Sequence, residues 1–168
     1  ASGVSIKDIQ SVVGTSVPIV RAMPNIASSV SESVSCICSN SDKEHVLQIA
    51  KAIFECIGTT VEIEEQLMEA STVLGACGIA YVLRFIRAMI QGGIQMGFDV
   101  TIANEIVKQT VKGAAELLIQ NNQHPEFEID KVTTPKGCTI VGLNEMEHNG
   151  FSSALIKGIM SSFNEIKR

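Results

Sequence analysis

Residues 79–96 read I-A-Y-V-L-R-F-I-R-A-M-I-Q-G-G-I-Q-M, and this stretch decides the fold. Ile79, Val82, Leu83, Phe85, Ile86, Met89, Ile90 and Ile94 lie almost all round a helix of 3.6-residue period. A helix without a polar face must be buried on most sides. In a chain of 168 residues the simplest cover is a second copy of the same helix, so the pattern predicts a helical dimer. Gly92 and Gly93 lower helix propensity inside it, which points to close approach of another helix. Arg84 and Arg87 interrupt the apolar run, and no stretch is expected to reach transmembrane length.

Working outward, the helical pattern continues to the C-terminal side. Val100 to Gln120 is a long amphipathic helix, and His124 to Val132 a short one with Pro125 at its first position. Thr139 to His148 and Ser152 to Ile166 are two more. Glu64 to Leu74 forms a separate helix before the central one, with a turn at Gly75–Gly78. Further upstream the chain is α/β in character. Residues 4–13 suit an amphipathic helix ending at Gly14, Val17 to Ala22 is β-like, and 26–33 reads as a loop. Val34 to Cys38 alternates like a strand. Asp42 to Ile57 fits a helix with Ser41 or Asp42 as N-cap and Gly58 as its stop, and Thr59 to Ile63 is a third strand.

Composition sets the outer limits. The chain is 45% hydrophobic and 18% charged, enough for one globular domain with a core and part of another. A net charge of -5, without a basic run, gives no reason to expect nucleic acid. The start Ala1-Ser2-Gly3 does not resemble a signal peptide. Of the five cysteines, only Cys36 and Cys38 are close, and no second pair completes a metal site. They read as small apolar residues of a reducing cytoplasm. His45 and His148 read as surface residues, and no metal site is expected.

One loop carries chemistry. Residues 132–140 read V-T-T-P-K-G-C-T-I. Pro135 biases Thr134 toward extended backbone, and Gly137 permits a sharp turn and a close ligand. The pattern Ile140, Val141, Leu143, Met146 then starts a helix. A helix N-terminus offers unpaired N–H groups and partial positive charge to a small anion, and Thr133, Thr134 and Thr139 add hydroxyls. The segment fits a carboxylate or phosphate site, or else an ordinary capped helix after a turn.

The same segment resembles the signature of pyrroline-5-carboxylate reductases: His124-Pro125, then Val132-Thr133-Thr134-Pro135-Lys136-Gly137-Cys138-Thr139-Ile140, then Gly150-Phe151. Further stretches match in the family's order. They are Ala1-Ser2-Gly3-Val4, then Val20-Arg21-Ala22-Met23-Pro24-Asn25, then Gly75-Ala76-Cys77-Gly78-Ile79-Ala80-Tyr81 with Gly92-Gly93 and Met96-Gly97. The resemblance covers essentially the whole chain. It implies a mainly α fold: a C-terminal helical dimerisation bundle preceded by a few strands and helices from the edge of a Rossmann-type α/β domain. The boundary falls so that residues 1–63 are the C-terminal edge of a dinucleotide-binding domain and 64–168 the helical dimerisation and substrate-binding domain. The G-x-G-x-x-G turn and first strands of a dinucleotide fold are absent, so the chain is expected to be a fragment, inactive alone.

The implied reaction is the reduction of 1-pyrroline-5-carboxylate to L-proline with NADP(H) or NAD(H), the last step of proline biosynthesis, in a cytoplasmic homodimer or higher homo-oligomer without nucleic-acid or membrane partners. The resemblance makes Thr139 the catalytic residue, meeting the substrate's ring nitrogen. It places Glu65, Thr134, Gly137 and Cys138 beside Thr139 as substrate-binding residues. Ala1, Ser2, Gly3, Asn25 and Lys131 match positions at the cofactor, most of which the missing domain would hold. Thr72 and the Gly75–Gly78 turn match a helix start beside the pocket. Departures are Lys136 for a glycine, Cys77 and Ile79 for serine and proline, and Ile26-Ala27 for threonine-proline. Rival readings are a non-catalytic helical oligomerisation module and a related imine or hydroxy-acid reductase. The retained T-T-P-x-G-x-T loop favours a carboxylate-bearing substrate.

Overall fold

The computed structural model describes residues 3–41 and 43–166. Among them are seven helices and one three-stranded sheet. The chain divides into two compact units. One runs up to Tyr81 and takes in the chain from Lys157 on; the other is Val82–Ile156.

The first unit begins with α1 (Ile6–Val13). A capping box starts it: the Ser5 hydroxyl accepts from Asp8 N–H at 3.1 Å, and the Asp8 carboxylate accepts from Ser5 N–H at 2.9 Å. Gly14 ends it with φ 90°. Strand β1 (Val20–Met23) pairs antiparallel with β2 (Ser33–Ser39), Ala22 opposite Ile37. β2 pairs parallel with β3 (Gly58–Glu62), Ser33 opposite Gly58. Parallel neighbours need a crossover, and α2 (Glu44–Phe54) supplies it. Lys43 holds the N-cap position of α2 without a side-chain cap bond, so Ser41 is not the cap; Asp42 lies outside the described residues. At the far end Gly58 adopts φ 145°, and any Cβ there would run into the Ser33 carbonyl, so this stop demands glycine.

Alternation along β2 sends its residues to two faces. Cys38 joins Ile6, Ile19 and Met68 in the core, with Ile9, Met23 and Ile63 packed around them. Ile37 is fully buried. The segment expected as a loop contains a 3₁₀ helix, Ile26–Val30, because the Asn25 amide oxygen caps it by accepting Ala27 N–H at 2.9 Å.

The largest departure from expectation is α3, a continuous helix over Glu65–Gln95. No turn breaks it at Gly75–Gly78. The chain instead widens into a π-helical segment, Thr72–Cys77, and resumes α geometry at Gly78. A π turn absorbs an extra residue without ending the helix. With 31 residues, α3 is long and apolar enough by length and composition to cross a membrane, which corrects the expectation drawn from Arg84 and Arg87. Its buried residues are few: in the Gly78–Gln95 part, Gly93 alone among the described residues. Within the first unit, the Tyr81 hydroxyl lies 2.6 Å from the Ser162 hydroxyl, 81 residues away in sequence.

The second unit holds α4 (Val100–Asn121), α5 (Pro125–Val132) and α6 (Cys138–His148), with the first part of α7 (Phe151–Ile166). Asp99 caps α4 by accepting Thr101 N–H at 2.8 Å, which holds its carboxyl below the usual carboxylate range. A Cβ on Gly93 would stand 3.1 Å from the Ala103 methyl, so this glycine does serve close helix approach, between α3 and α4 of one chain. Gly92 faces open space. Val82, Leu83, Ile94, Phe98, Ile102 and Ile106 of this unit are exposed apolar side chains.

Candidate functional site

The Thr134–Thr139 loop belongs to the second unit and is assembled by local rules. His124 caps α5, its Nδ1 accepting Glu126 N–H at 3.3 Å, with Pro125 in the first turn. Lys131 closes the helix, donating to the Glu128 carboxylate at 2.8 Å and lying 4.7 Å over the Phe127 ring. That bond from Lys131 is the main reason the Glu128 carboxyl sits below its usual range. Thr133 ends the helix by donating its hydroxyl to the Ile129 carbonyl at 2.7 Å.

The chain then reverses over Thr134-Pro135-Lys136-Gly137. Gly137 N–H donates to the Thr134 carbonyl at 2.9 Å, and Lys136 has φ 60°. Proline second and a positive φ third are the marks of a type II turn, whose third position favours glycine. Lys136 therefore occupies a left-handed conformation that costs an L-residue roughly 1–2 kcal/mol. A Cβ on Gly137 would lie 2.5 Å from Thr134 Oγ1 and 3.0 Å from its carbonyl oxygen, so the turn closes this tightly only with glycine. Gly137 is also the N-cap of α6, and it supplies no side-chain cap.

Cys138 and Thr139 are the first residues of α6, exposed and half-buried respectively. Among the described residues the Thr139 hydroxyl has no hydrogen-bond partner. The turn thus brings Thr134, Gly137, Cys138 and Thr139 together at one helix N-terminus. Its leading N–H groups are without side-chain acceptors, and a free hydroxyl stands beside them. Such an arrangement can accept a small anion, with a hydrogen-bond group next to it.

Other expected site residues lie in the first unit and are engaged. Glu65 Oε1 accepts the Ile6 N–H at 2.6 Å and lies 3.4 Å from Arg21 Nη1. Arg21 Nη2 is 3.2 Å from Glu69. Arg21 is only 6% exposed, and its Nε has no partner among the described residues. This clamp joins β1 and α3 to the start of α1, three residues from Gly3; Ala1 and Ser2 lie outside the described residues. Arg21 and Glu69 were not singled out as a pair from sequence. A lone arginine among apolar strand residues was the available signal. Burial raises the Cys38 thiol's pKa above its usual range, helped by the nearby Glu65 carboxylate.

Asn25 is 8% exposed. Its side-chain oxygen holds Ala27 N–H, its Nδ2 donates to the Gly75 carbonyl at 3.1 Å, and its own N–H donates to Ser33 Oγ at 3.0 Å. Asn25 is thus used inside the unit, and Lys131 is paired on α5. Two apolar grooves of about 380 and 420 Å³ also lie in the first unit. The smaller is lined by Ala22, His45, Ile49 and Ile53 among others, the larger by Val34, Cys36, Ile63, Leu67 and Leu74. Neither includes a residue of the Thr134–Thr139 loop.

Comparison with known proteins places these features. A family model described as pyrroline-5-carboxylate reductase dimerisation matches residues 65–168. The chain is 51% identical over 173 aligned residues to pyrroline-5-carboxylate reductase 1 of Dictyostelium discoideum, covering 96% of this chain and 31% of that protein. It is 44% identical to that organism's pyrroline-5-carboxylate reductase 2, over 95% of this chain and 58% of the relative. Among solved structures, Plasmodium falciparum pyrroline carboxylate reductase with NADP bound superposes with a TM-score of 0.89 at 30% identity, over 99% of this chain and 67% of that one. The chain thus spans about a third and somewhat over half of the two Dictyostelium relatives.

Proposed function

This chain belongs to the pyrroline-5-carboxylate reductase family, and from that premise we propose that it supplies the substrate-binding and dimerisation part of an enzyme reducing 1-pyrroline-5-carboxylate to L-proline with NADP(H). The observation that carries the reading is the Thr134–Thr139 turn, where a tight type II reversal delivers an uncapped helix start and an unpaired threonine hydroxyl to one point. The substrate is a cyclic imine bearing a carboxylate. Its carboxylate sits against the leading N–H groups of α6 and the Thr134 hydroxyl. Thr139 then meets the ring nitrogen, which needs a hydrogen-bond partner as its charge changes on reduction. The protein's contribution is orientation and charge complementarity, with no covalent intermediate.

Glu65 ties α1 to the start of α3. The described residues do not fit the cofactor's diphosphate: Asn25 is spent internally, Lys131 is paired with Glu128, and the sequence holds no G-x-G-x-x-G turn. No step is therefore derived through the nucleotide, and in this reading a dinucleotide-binding half outside these 168 residues holds it. The exposed apolar face of α3 and α4 is covered by a second copy, so the working form is at least a homodimer.

The test compares two proteins: the 168-residue chain alone, and the same chain preceded by the dinucleotide-binding half of the Dictyostelium relative. The chain alone should give no turnover, and the joined protein should oxidise NADPH only when 1-pyrroline-5-carboxylate is present. A joined, folded protein without that activity would overturn the reading.

A further inference from the structure

We propose that Asn25 is a positioning residue: it holds the π-helical segment Thr72–Cys77 open, and through it fixes the rotation of the helix that follows. The inference rests on the reading above for its kinetic consequence, but its structural basis is independent. A π segment is rare and poorly stabilised by its own bonds, so something outside the helix has to favour it. Asn25 is placed to do so. Its amide is buried and offers a donor and an acceptor in opposite directions. The acceptor end is fixed by Ala27 N–H, which aims the donor end at the Gly75 carbonyl in the middle of the π segment. The backbone of Asn25 is itself pinned to Ser33 of the sheet.

The consequence follows from helix geometry. One residue of an α-helix turns the chain by about 100°. If the wide turn closed to α geometry, every residue after it would rotate by about that angle. Tyr81 would then leave the Ser162 hydroxyl, which it now meets at 2.6 Å, and the Gly75–Tyr81 motif would present different side chains. Asn25 thus connects the sheet edge to the register of this motif.

Hydrogen exchange tests it on this chain. Asn25→Asp keeps the shape and the acceptor for Ala27 but sets a carboxylate against the Gly75 carbonyl in place of a donor. Amides of residues 72–81 should exchange about tenfold faster, while those of β2 keep wild-type protection. Unchanged protection at 72–81, or equal loss in β2, would overturn the proposal. Should Asn25→Asp fail to fold, deletion of Ala76 gives the second route: it removes the extra residue of the wide turn, so adding Asn25→Ala should then cost no further protection. Further loss equal to that of Asn25→Ala in the wild-type chain would sink it.

The resemblance sets the Gly75–Gly78 stretch beside the substrate, so in the catalytically complete protein carrying this chain Asn25→Asp should raise KM for 1-pyrroline-5-carboxylate about tenfold with kcat little changed. A merely structural role would lower the active fraction and leave KM alone, and that result would overturn the positioning role. If the wild-type protein lacks activity altogether, the proposed function fails, while the exchange result still decides the role of Asn25.

Discussion

Lys136 stands where a type II turn favours glycine, and the strain is measurable. Replacing it with glycine relieves the left-handed conformation, roughly 1–2 kcal/mol, against a glycine entropy cost of roughly 0.5–1 kcal/mol. Lys136→Gly should therefore stabilise the chain by up to about 1.5 kcal/mol, read as a higher urea midpoint at unchanged slope; a lower midpoint would refute the strain. Thr139 offers the catalytic counterpart. In the complete enzyme Thr139→Val keeps the shape and removes the hydroxyl, and loss of one donor at the reacting group should lower kcat/KM on the order of a hundredfold. A change within about twofold would remove Thr139 from its assigned role. At this scale the sequence was most legible: proline, glycine and threonine spacing alone indicated a turn with hydroxyls at a helix start. The engagement of Glu65 and Asn25 was hidden, because their partners Ile6, Arg21 and Gly75 are 44 to 59 residues away.

Among the elements, α1 carries a titratable device. The Asp8 carboxyl is held below the usual carboxylate range, first by its bond to the Ser5 side chain and then by the Ser5 N–H. A folded pKa below the unfolded one gives stability that is present above the unfolded pKa and is lost as pH falls through the folded one. Protection of the α1 amides should thus be flat through neutral pH and weaken on acidification below the ordinary aspartate range. Asp8→Asn should lower protection at neutral pH and flatten that acid dependence, as exchange at a series of pH values would show. The stop at Gly14 and the three strands were readable because their signals are local, whereas the start of α2 lay past Ser41, behind Lys43. The continuity of α3 was not, since Gly75 and Gly78 read as breakers and the bond from Asn25 to the Gly75 carbonyl comes from 50 residues away.

For the whole molecule, the exposed apolar residues of α3 and α4 argue for a second copy. Leu83 is 54% exposed, a poor place for a leucine unless it is covered by a partner. Leu83→Asp should leave the monomer folded by circular dichroism and shift light scattering from dimer to monomer. A dimer that survives this change would place the interface elsewhere. Met68 makes the contrast: it is fully buried within one chain, so Met68→Ala should cost about 2–5 kcal/mol of stability. The all-round apolar pattern of residues 79–96 was visible in the sequence, but not which part of it one chain would cover for itself.

The bond between Tyr81 and Ser162 also has a consequence in time. Synthesis proceeds from the N-terminus, so the sheet and α1 emerge long before the residues that complete their unit. Closing so distant a contact is a late event with a high entropic threshold. Until it occurs, nascent chains expose the apolar flank of α3 to solvent and to one another, the condition in which chaperones are recruited and intermediates aggregate. Ribosome-bound chains halted before Ser162 should therefore be protease-sensitive around Tyr81 and become resistant only once the final helix has emerged.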